Sequence, residues 1–246
     1  MDKVVVITGA SSGIGAALAE AAAARGARVV LVARREHELK EVAARCRGNA
    51  AIVVADVTIR ADVRRAVAEA IQRFGRIDVW VNNAGRGISR LPSELTDADI
   101  DLMMSVNVKS AMYGMQEVLP HFRERGAGQV INVSSMLGRI PYALPRSAYS
   151  AAKHFLNALT ANFRMEVQAR FPGIRFTIVS PGVVYTDFGL HALHGGHDSR
   201  NLPGGQDVGV VADAIVDAIE SGAEEVYTLP GARERVVDYY AALGAS

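Results

Sequence analysis

Short runs of β-branched residues alternate along this chain with longer segments of helical periodicity. This alternation is typical of βαβ units, in which helices connect parallel strands. Most of the runs are continuously apolar, as expected when helices cover both faces of a sheet. The predicted strands are Lys3–Thr8, Arg28–Ala33, Ala51–Ala55, Ile77–Asn82, Gln129–Ser134, Arg175–Ser180 and Glu225–Leu229.

The segments between the strands predict seven helices. Thr96, with Asp99 three residues later, resembles a capping box at the start of the fourth. The sequence therefore predicts an α/β fold, a doubly wound Rossmann-type fold with a mostly parallel seven-stranded sheet and helices on both faces. The predicted helices are Gly13–Arg25, Glu36–Cys46, Ala61–Phe74, Asp97–Arg125, Ala148–Arg170, Asp207–Ser221 and Ala232–Ala242.

The chain has 246 residues, 50% of them hydrophobic, and contains no linker or repeat that would divide it. We therefore predict a single domain over residues 1–246, because α/β folds often fill this length as one unit. The segment Asp187–Gln206 is rich in Gly, His, Asn and Ser and shows no clear period. Loops this long in a compact domain are usually functional, and we predict a substrate lid at about 187–206.

Charge and cysteine content limit the partners and the compartment. Lys and Arg number 27 against 26 Asp and Glu, so we expect no nucleic-acid partner and no membrane surface. The longest stretch without these four residue types, Val4–Ala19, is shorter than the ~20 residues of a membrane span. Cys46 is the single cysteine, which favours the reducing cytoplasm.

A glycine motif follows the first strand directly and opens the first helix. It runs from Thr8 to Gly15 with the spacing Gly-x-x-x-Gly-x-Gly. Glycines let the backbone approach a pyrophosphate, and the free N–H groups at a helix start favour an anion. The segment therefore predicts a dinucleotide-binding turn, although a tight turn that binds nothing would share the pattern.

A second cluster lies between the fifth strand and the long helix that follows it. Tyr149 and Lys153 are four residues apart, so they share one helical face. Lowering the tyrosine pKa from about 10 toward 7 needs roughly 4 kcal/mol. An ammonium about 4 Å away at an effective dielectric of about 20 supplies that much. We therefore expect Lys153 to activate Tyr149, with Ser135 at the same edge of the sheet.

These motifs together resemble the short-chain dehydrogenase/reductase family, in its compact single-domain type. The resemblance covers nearly the whole chain, from Lys3 to the last strand, and all of the motifs occur in the family's order. They are Thr8-Gly-x-x-x-Gly-Ile-Gly15, Asp56-Val57, Asn82-Asn83-Ala84-Gly85, Asn107, Ser135, Tyr149-x-x-x-Lys153 and Pro181-Gly182 with Thr186.

The resemblance implies an oxidoreductase that transfers hydride between NADP(H) and a carbonyl or secondary alcohol. Tyr149 would be the acid/base, Lys153 would tune Tyr149 and hold the nicotinamide ribose, Ser135 would polarise the carbonyl, and Asn107 would hold a proton relay. Ser134 competes with Ser135, but the family's serine usually lies nearest the loop. The implied cofactor-binding residues are Gly9, Ser11, Ser12, Gly13, Ile14, Gly15, Arg34, Arg35, Asp56, Val57, Asn83, Ala84, Gly85, Tyr149, Lys153, Pro181, Gly182, Val183 and Thr186.

The end of the second strand predicts NADP(H) rather than NAD(H). An NAD enzyme usually places Asp or Glu there, whereas this chain has Ala33 followed by Arg34 and Arg35. A guanidinium is a bidentate partner for a 2′-phosphate. The basic residue that often precedes the middle glycine is replaced by Ser12, and Glu36 and Glu38 could turn toward the ribose instead.

Three further interpretations concern assembly, metals and function class. The fourth and fifth helices are apolar almost all round, which together with the resemblance predicts a homodimer or homotetramer. His191, His194 and His197 are spaced by three, but beyond Asp187 and Asp198 no nearby carboxylate or cysteine supports a site, and we predict no metal. The alternative function is a non-catalytic NADP-binding regulatory protein of the same fold, which would not need the four catalytic residues.

The substrate is expected to be a small molecule of apolar character, because the residues flanking the catalytic cluster are mostly apolar. Arg86, Arg139 and Arg146 lie in neighbouring loops, and the sequence leaves open whether any of them contacts a substrate carboxylate. The apolar residues are Leu137, Pro141, Tyr142, Leu144, Val184, Tyr185, Phe188 and Leu190.

Overall fold

The structure, a computed structural model, describes residues 1–244 and contains one seven-stranded sheet. The strand order is β3-β2-β1-β4-β5-β6-β7, and every neighbouring pair is parallel. This confirms the predicted doubly wound fold. The strands are β1 (Val4–Thr8), β2 (Arg28–Ala33), β3 (Ala50–Val54), β4 (Val79–Asn82), β5 (Gly128–Val133), β6 (Ile174–Ser180) and β7 (Glu225–Tyr227).

Helices flank both faces of the sheet because each central strand is apolar on both sides. In β1, Val5 and Ile7 pack into one buried cluster, while Val4 and Val6 pack into another on the opposite face. Successive side chains of a strand point to opposite faces, so a continuous apolar run supplies two cores. The helices are α1 (Gly13–Ala24), α2 (Glu36–Arg45), α3 (Arg60–Phe74), α4 (Asp97–Met104), α5 (Ser110–Arg125), α6 (Ser147–Gln168), α7 (Val208–Ser221) and α8 (Ala232–Gly244).

The predicted helix Asp97–Arg125 differs from a regular α-helix in its middle. A π-helical turn at Ser105–Lys109 separates α4 from α5. The capping box at its start is present, because the Thr96 hydroxyl accepts from the Asp99 amide and the Asp99 carboxylate accepts from the Thr96 amide. A π turn adds one residue to the helix, which periodicity does not reveal, and such turns are frequent at functional sites.

The strand order places the candidate motifs at one edge. β1 and β4 are neighbours, and the chain leaves them toward opposite faces of the sheet, which opens a crevice at their carboxyl ends. The segments that follow β1, β4, β5 and β6 all begin at this edge. They are the glycine turn Thr8–Gly15, Asn83–Gly85, Ser134–Ser135 and Pro181–Thr186.

The segment 187–206 contains little regular structure, but it makes specific contacts. It holds one short 3₁₀ turn, Ser199–Asn201, and Leu193 forms an isolated parallel bridge with Ile88. These contacts place the segment against the loop that follows β4. Its action as a lid and the single-domain organisation stay predictions. Within residues 1–244, no helix is both long and apolar enough to cross a membrane.

A buried chain of polar side chains crosses the sheet beside the site. Asn82 Nδ2 donates to Asn132 Oδ1 over 2.8 Å, and Asn132 Nδ2 donates to Thr160 Oγ1 over 2.8 Å. The indole N–H of Trp80 completes the chain by donating to Asn82 Oδ1 over 2.7 Å. Every one of these side chains is buried, so each polar atom depends on its protein partner.

Replacing Asn132 with leucine should therefore lower the free energy of unfolding by about 2–3 kcal/mol, because the buried Asn82 amide loses an acceptor and the buried Thr160 hydroxyl loses a donor. Urea denaturation of the variant and the wild type measures this difference. Asn162→Leu, at an exposed position of α6, is the matched control and should change stability by less than about 0.5 kcal/mol. Equal effects of the two substitutions would contradict the prediction.

Candidate active site

The glycine turn after β1 forms a concave backbone surface. Gly9 and Gly13 have φ angles of +67° and +56°, which favour glycine. A Cβ on Gly9 would lie 2.8 Å from the Cα of Ala84, and a Cβ on Gly15 would overlap the Gly9 carbonyl. Ser12 stands at the start of α1 without capping it through its side chain. Helix-start N–H groups are thus left without a side-chain acceptor, which suits a phosphate.

The turn is tied to the loop after β4 by hydrogen bonds. The Thr8 hydroxyl accepts from the backbone amides of Asn83 and Ala84 at 3.0 and 3.1 Å. Asn83 Nδ2 returns a bond to the Thr8 carbonyl at 2.9 Å. These contacts hold the carboxyl ends of β1 and β4 in register and close the floor of the crevice.

Tyr149, Lys153 and Ser135 meet at the start of α6. The Lys153 ammonium nitrogen lies 5.6 Å from the centre of the Tyr149 ring and donates to the Val133 carbonyl over 2.8 Å. Both side chains are buried, and Ser135 adjoins Tyr149 closely enough to act on its pKa. Phe188 packs its ring 5.7 Å from that of Tyr149.

The competing serine has a different environment. The Ser134 hydroxyl is buried and has no hydrogen-bond partner within residues 1–244. A Cβ on Gly138 would lie 2.8 Å from it, so Ser134 points toward the turn after β5. Because Ser135 is the serine beside Tyr149, the geometry favours it over Ser134 as the group that could contact a substrate oxygen.

Burial sets the protonation of this cluster. It raises the pKa of Tyr149 to about 12, against the smaller opposing effects of the Ser135 hydrogen bond and the Arg146 charge. It lowers the pKa of Lys153 to about 8. The expectation that Lys153 brings the Tyr149 pKa toward 7 is therefore wrong. The physical reason is that both groups are desolvated, and the Lys153 ammonium is directed to a carbonyl.

Asn107 lies in the π turn and is fully enclosed. Its Oδ1 accepts from the Arg86 amide at 3.1 Å, and its Nδ2 donates to the Arg86 carbonyl at 3.0 Å. A Cβ on Gly85 would lie 3.0 Å from Asn107 Oδ1 and 3.7 Å from Lys153 Nζ. The three residues therefore adjoin one another beneath the loop after β4.

The two arginines after β2 point in different directions. Arg35 donates to the hydroxyls of Ser11 and Ser12, each over 2.9 Å, which places its guanidinium beside the glycine turn. Arg34 is mostly exposed and lies 3.7 Å from an Asp56 carboxylate oxygen.

Two predicted cofactor residues contribute hydrophobic packing. Val57 and Ile14 pack against the buried clusters on opposite faces of the sheet. Their side chains therefore support the crevice from within the protein.

The segment after β6 approaches the glycine turn from the other side. A Cβ on Gly13 would lie 3.5 Å from a methyl carbon of Thr186. The Pro181 carbonyl accepts from the Met136 amide at 2.8 Å, and the Val183 carbonyl accepts from the Gln206 amide at 2.9 Å. Gly182 is packed so closely against Leu229 that a Cβ would overlap it. These contacts connect the end of β6 to the serine loop and to residues 187–206.

The sequence analysis did not find the side-chain contacts that connect the segment 187–206 to α4. His194 Nε2 contacts Asp99 Oδ1 at 2.7 Å, and Arg90 Nη1 contacts Asp99 Oδ2 at 2.9 Å. The backbone hydrogen bond from Thr96, together with the contacts of His194 and Arg90, holds the pKa of Asp99 well below its usual range. No group of three or more His, Cys, Asp or Glu in residues 1–244 is arranged to hold a metal ion. No local signal links Asp99 to His194, because they are far apart in sequence.

Known proteins resemble this chain over most of its length. A model of the short chain dehydrogenase family matches residues 3–193. An uncharacterized oxidoreductase of Staphylococcus epidermidis is 37% identical over 188 residues, which cover 75% of this chain and 79% of that protein.

Solved structures match over almost the whole length. A short-chain dehydrogenase from Streptomyces avermitilis is 34% identical with a TM-score of 0.87, covering 100% of this chain and 94% of that chain. One from Sphingobium yanoikuyae, in complex with NADPH, is 29% identical with a TM-score of 0.83, covering 99% and 95%. A 3-ketoacyl-(acyl-carrier-protein) reductase from Brucella melitensis, complexed with NADH, is 25% identical with a TM-score of 0.80. The match covers 92% of this chain and 96% of that chain. The chain belongs to the short chain dehydrogenase family of oxidoreductases.

Proposed function

We propose that this protein transfers hydride between NADP(H) and a small carbonyl compound or secondary alcohol of apolar character. The observation that carries the proposal is the meeting of Ser135, Tyr149 and Lys153 at the sheet edge that also holds the glycine turn. A buried tyrosine and lysine beside a phosphate-binding surface combine a proton donor with a cofactor site.

The residues of the crevice fit a dinucleotide. Gly9, Gly13 and Gly15 leave room for a pyrophosphate, which the start of α1 would bind. Asp56 and Val57 would meet the adenine, Asn83, Ala84 and Gly85 would line the middle of the cofactor, and Pro181, Gly182, Val183 and Thr186 would border the nicotinamide. When bound there, a nicotinamide cofactor supplies or accepts a hydride.

The protein's own groups would handle the proton. Tyr149 is protonated at neutral pH, since burial raises its pKa to about 12, and it would donate to the carbonyl oxygen of a substrate. Ser135 would donate a hydrogen bond to the same oxygen and so polarise the carbonyl. Lys153 would stabilise the resulting tyrosinate, and Asn107, adjoining it through Gly85, would hold a water that returns the proton.

The preference for NADP(H) rests on the arginines after β2. No acidic side chain stands at Ala33 to repel a 2′-phosphate, and Arg35 already lies beside the glycine turn through Ser11 and Ser12. Arg34 is exposed at the same corner, and it would exchange its 3.7 Å ion pair with Asp56 for a phosphate. Guanidinium groups bind phosphate oxygens in pairs, which favours the phosphorylated cofactor.

The test is an oxidation assay of NADPH and NADH with ketones, aldehydes, oxoacyl thioesters, steroids and sugars. We expect kcat/KM for NADPH to exceed that for NADH about tenfold or more, because charge-assisted hydrogen bonds contribute about 1.5–3 kcal/mol. Arg34→Ala and Arg35→Ala should each reduce this ratio by weakening NADPH alone. Arg45→Ala, which removes an exposed arginine paired with Glu20, should leave the ratio unchanged. Equal use of both cofactors by the wild type would refute the NADP assignment.

The alternative is a regulatory protein of this fold that binds NADP without turnover. Cofactor binding without oxidation of NADPH or NADH by any member of the carbonyl panel would favour it.

We also propose a homodimer or homotetramer, because Phe155 and Met165 on α6 remain exposed at 50% and 65%. The lid at 187–206 and the cytoplasmic location predicted from Cys46 stay predictions.

A further inference from the structure

Three arginines flank the site: Arg86, Arg139 and Arg146. Only Arg146 has a buried guanidinium nitrogen and no carboxylate partner among residues 1–244. Arg139 forms an ion pair with Glu225, and its guanidinium lies 5.8 Å from the centre of the Tyr227 ring. Arg86 is exposed to solvent and donates to the His191 carbonyl over 3.3 Å. No carboxylate within residues 1–244 lies at ion-pair distance from Arg146.

The position of Arg146 is defined by the glycines around it. A Cβ on Gly87 would lie 2.6 Å from Arg146 Nη1, and a Cβ on Gly196 would lie 3.0 Å from Nη2. The guanidinium therefore occupies the space between the loop after β4 and the segment 187–206. Phe188, whose ring packs on Tyr149, would also be 3.1 Å from the Gly87 Cβ. Arg146, Phe188 and Tyr149 are thus neighbours at the site.

The guanidinium is partly withdrawn from water. Arg146 Nη1 is buried and has no hydrogen-bond partner within residues 1–244. Burial lowers the pKa of Arg146, while the neighbouring Tyr149 acts in the opposite direction. A water molecule could satisfy the hydrogen bond of Nη1 but would not neutralise the charge, and an unpaired cation in a low-dielectric site is costly.

We propose that Arg146 binds a carboxylate group of the substrate, so that the substrate is an oxo acid or hydroxy acid with an apolar body. The carboxylate would pair with the guanidinium in the bidentate manner, and the apolar part would pack on Phe188 while the oxo group faces Tyr149. This inference rests on the proposed function and adds the substrate class to it.

A different role for Arg146 makes a different prediction. Its charge lowers the pKa of Tyr149, so it could act only by stabilising the tyrosinate. That effect would change the turnover of charged and neutral substrates by the same factor. If Arg146 instead binds a carboxylate, its loss changes the ratio of kcat/KM for a charged substrate to kcat/KM for its neutral analogue.

The experiment compares phenylglyoxylate and benzoylpropionate with their methyl esters as substrates. Calorimetric binding of phenylbutyrate and phenylbutyramide to the protein saturated with NADP⁺ provides a second readout. We expect the wild type to favour each acid over its ester about tenfold or more in kcat/KM, and to bind phenylbutyrate more tightly than the amide. Arg146→Gln should abolish both preferences, and Arg146→Lys should retain part of them because it keeps the charge.

Arg139→Gln is the matched control, because the Arg139 charge is already balanced by Glu225, and it should leave the acid-to-ester ratio at its wild-type value. Equal kcat/KM values of the wild type for acid and ester would overturn the inference. An Arg146→Gln variant whose kcat/KM falls by the same factor for acid and ester would overturn it as well. Binding of phenylbutyrate that depends on Arg146, without reduction of any ketone, would support the carboxylate site and count against the proposed function. Reduction of neutral ketones, with no preference for the acids over their esters, would support the proposed function and count against the carboxylate site.

Discussion

Replacing Tyr149 with phenylalanine should lower kcat for carbonyl reduction by about a thousandfold, within the range of a general acid. The substitution keeps the aromatic ring and its packing on Phe188 and removes only the hydroxyl that Ser135 contacts. Because the ring remains, we expect the circular dichroism spectrum and the Kd for NADPH to stay close to those of the wild type. Single-turnover measurements with saturating NADPH would separate the loss of proton donation from any change in cofactor binding.

A second tyrosine provides the control for this prediction. Tyr113 on α5 packs against the buried cluster that contains Val4 and Val6, and the Arg60 guanidinium lies 5.5 Å from the centre of its ring. Tyr113→Phe should therefore keep wild-type turnover. Wild-type turnover in Tyr149→Phe would remove the proposed mechanism, and a loss of folded structure in that variant would mean that the hydroxyl supports the fold.

Replacing Lys153 with methionine should lower kcat for reduction about a hundredfold, because the tyrosinate left after proton donation loses its stabilising charge. Burial lowers the pKa of Lys153 to about 8, so the ammonium is present below this pH and is lost as pH rises through it. The wild-type rate should accordingly be constant at lower pH and fall above about pH 8. Tyr149 cannot cause this fall, since its pKa is raised to about 12.

The pH profile distinguishes the role of Lys153 from a structural one. Lys153→Met should show no fall near pH 8, in addition to its lower rate. Lys40→Met is the control, because Lys40 is exposed and paired with Glu36, and it should keep both the rate and the profile. A fall near pH 8 that persists in Lys153→Met would assign the titration to another group.

The elements of the fold could be predicted because their causes are local. In β1, a continuous apolar run supplies both faces of the sheet. Its pairing with β4, which is not the next strand along the chain, has no such local cause. The capping box at Thr96 and Asp99 depends on two residues three positions apart. The π turn at Ser105–Lys109 was not predicted, because one extra residue in a turn changes the helical period too little to detect.

The candidate site was predicted in part for the same reason. The spacing of Tyr149 and Lys153 places them on one face of α6 whatever surrounds them, and the glycine spacing defines the turn that Gly9 and Gly13 form with positive φ angles. The family resemblance favoured Ser135 over Ser134, and the different environments of the two serines in the structure favour it as well. The carboxylate partner of Arg139 is Glu225, which is far along the chain and has no motif.

The sequence by itself determined the order of the strands and helices along the chain, the glycine turn after β1, and the spacing that places Tyr149 and Lys153 on one helical face. Only the tertiary structure decided the electrostatics of the site: the protonated state of Tyr149, the lowered pKa of Lys153, and the unpaired charge of Arg146. The physical reason is that a hydrophobic period or a turn depends on neighbouring residues, whereas desolvation and charge pairing depend on groups that folding brings together from distant segments.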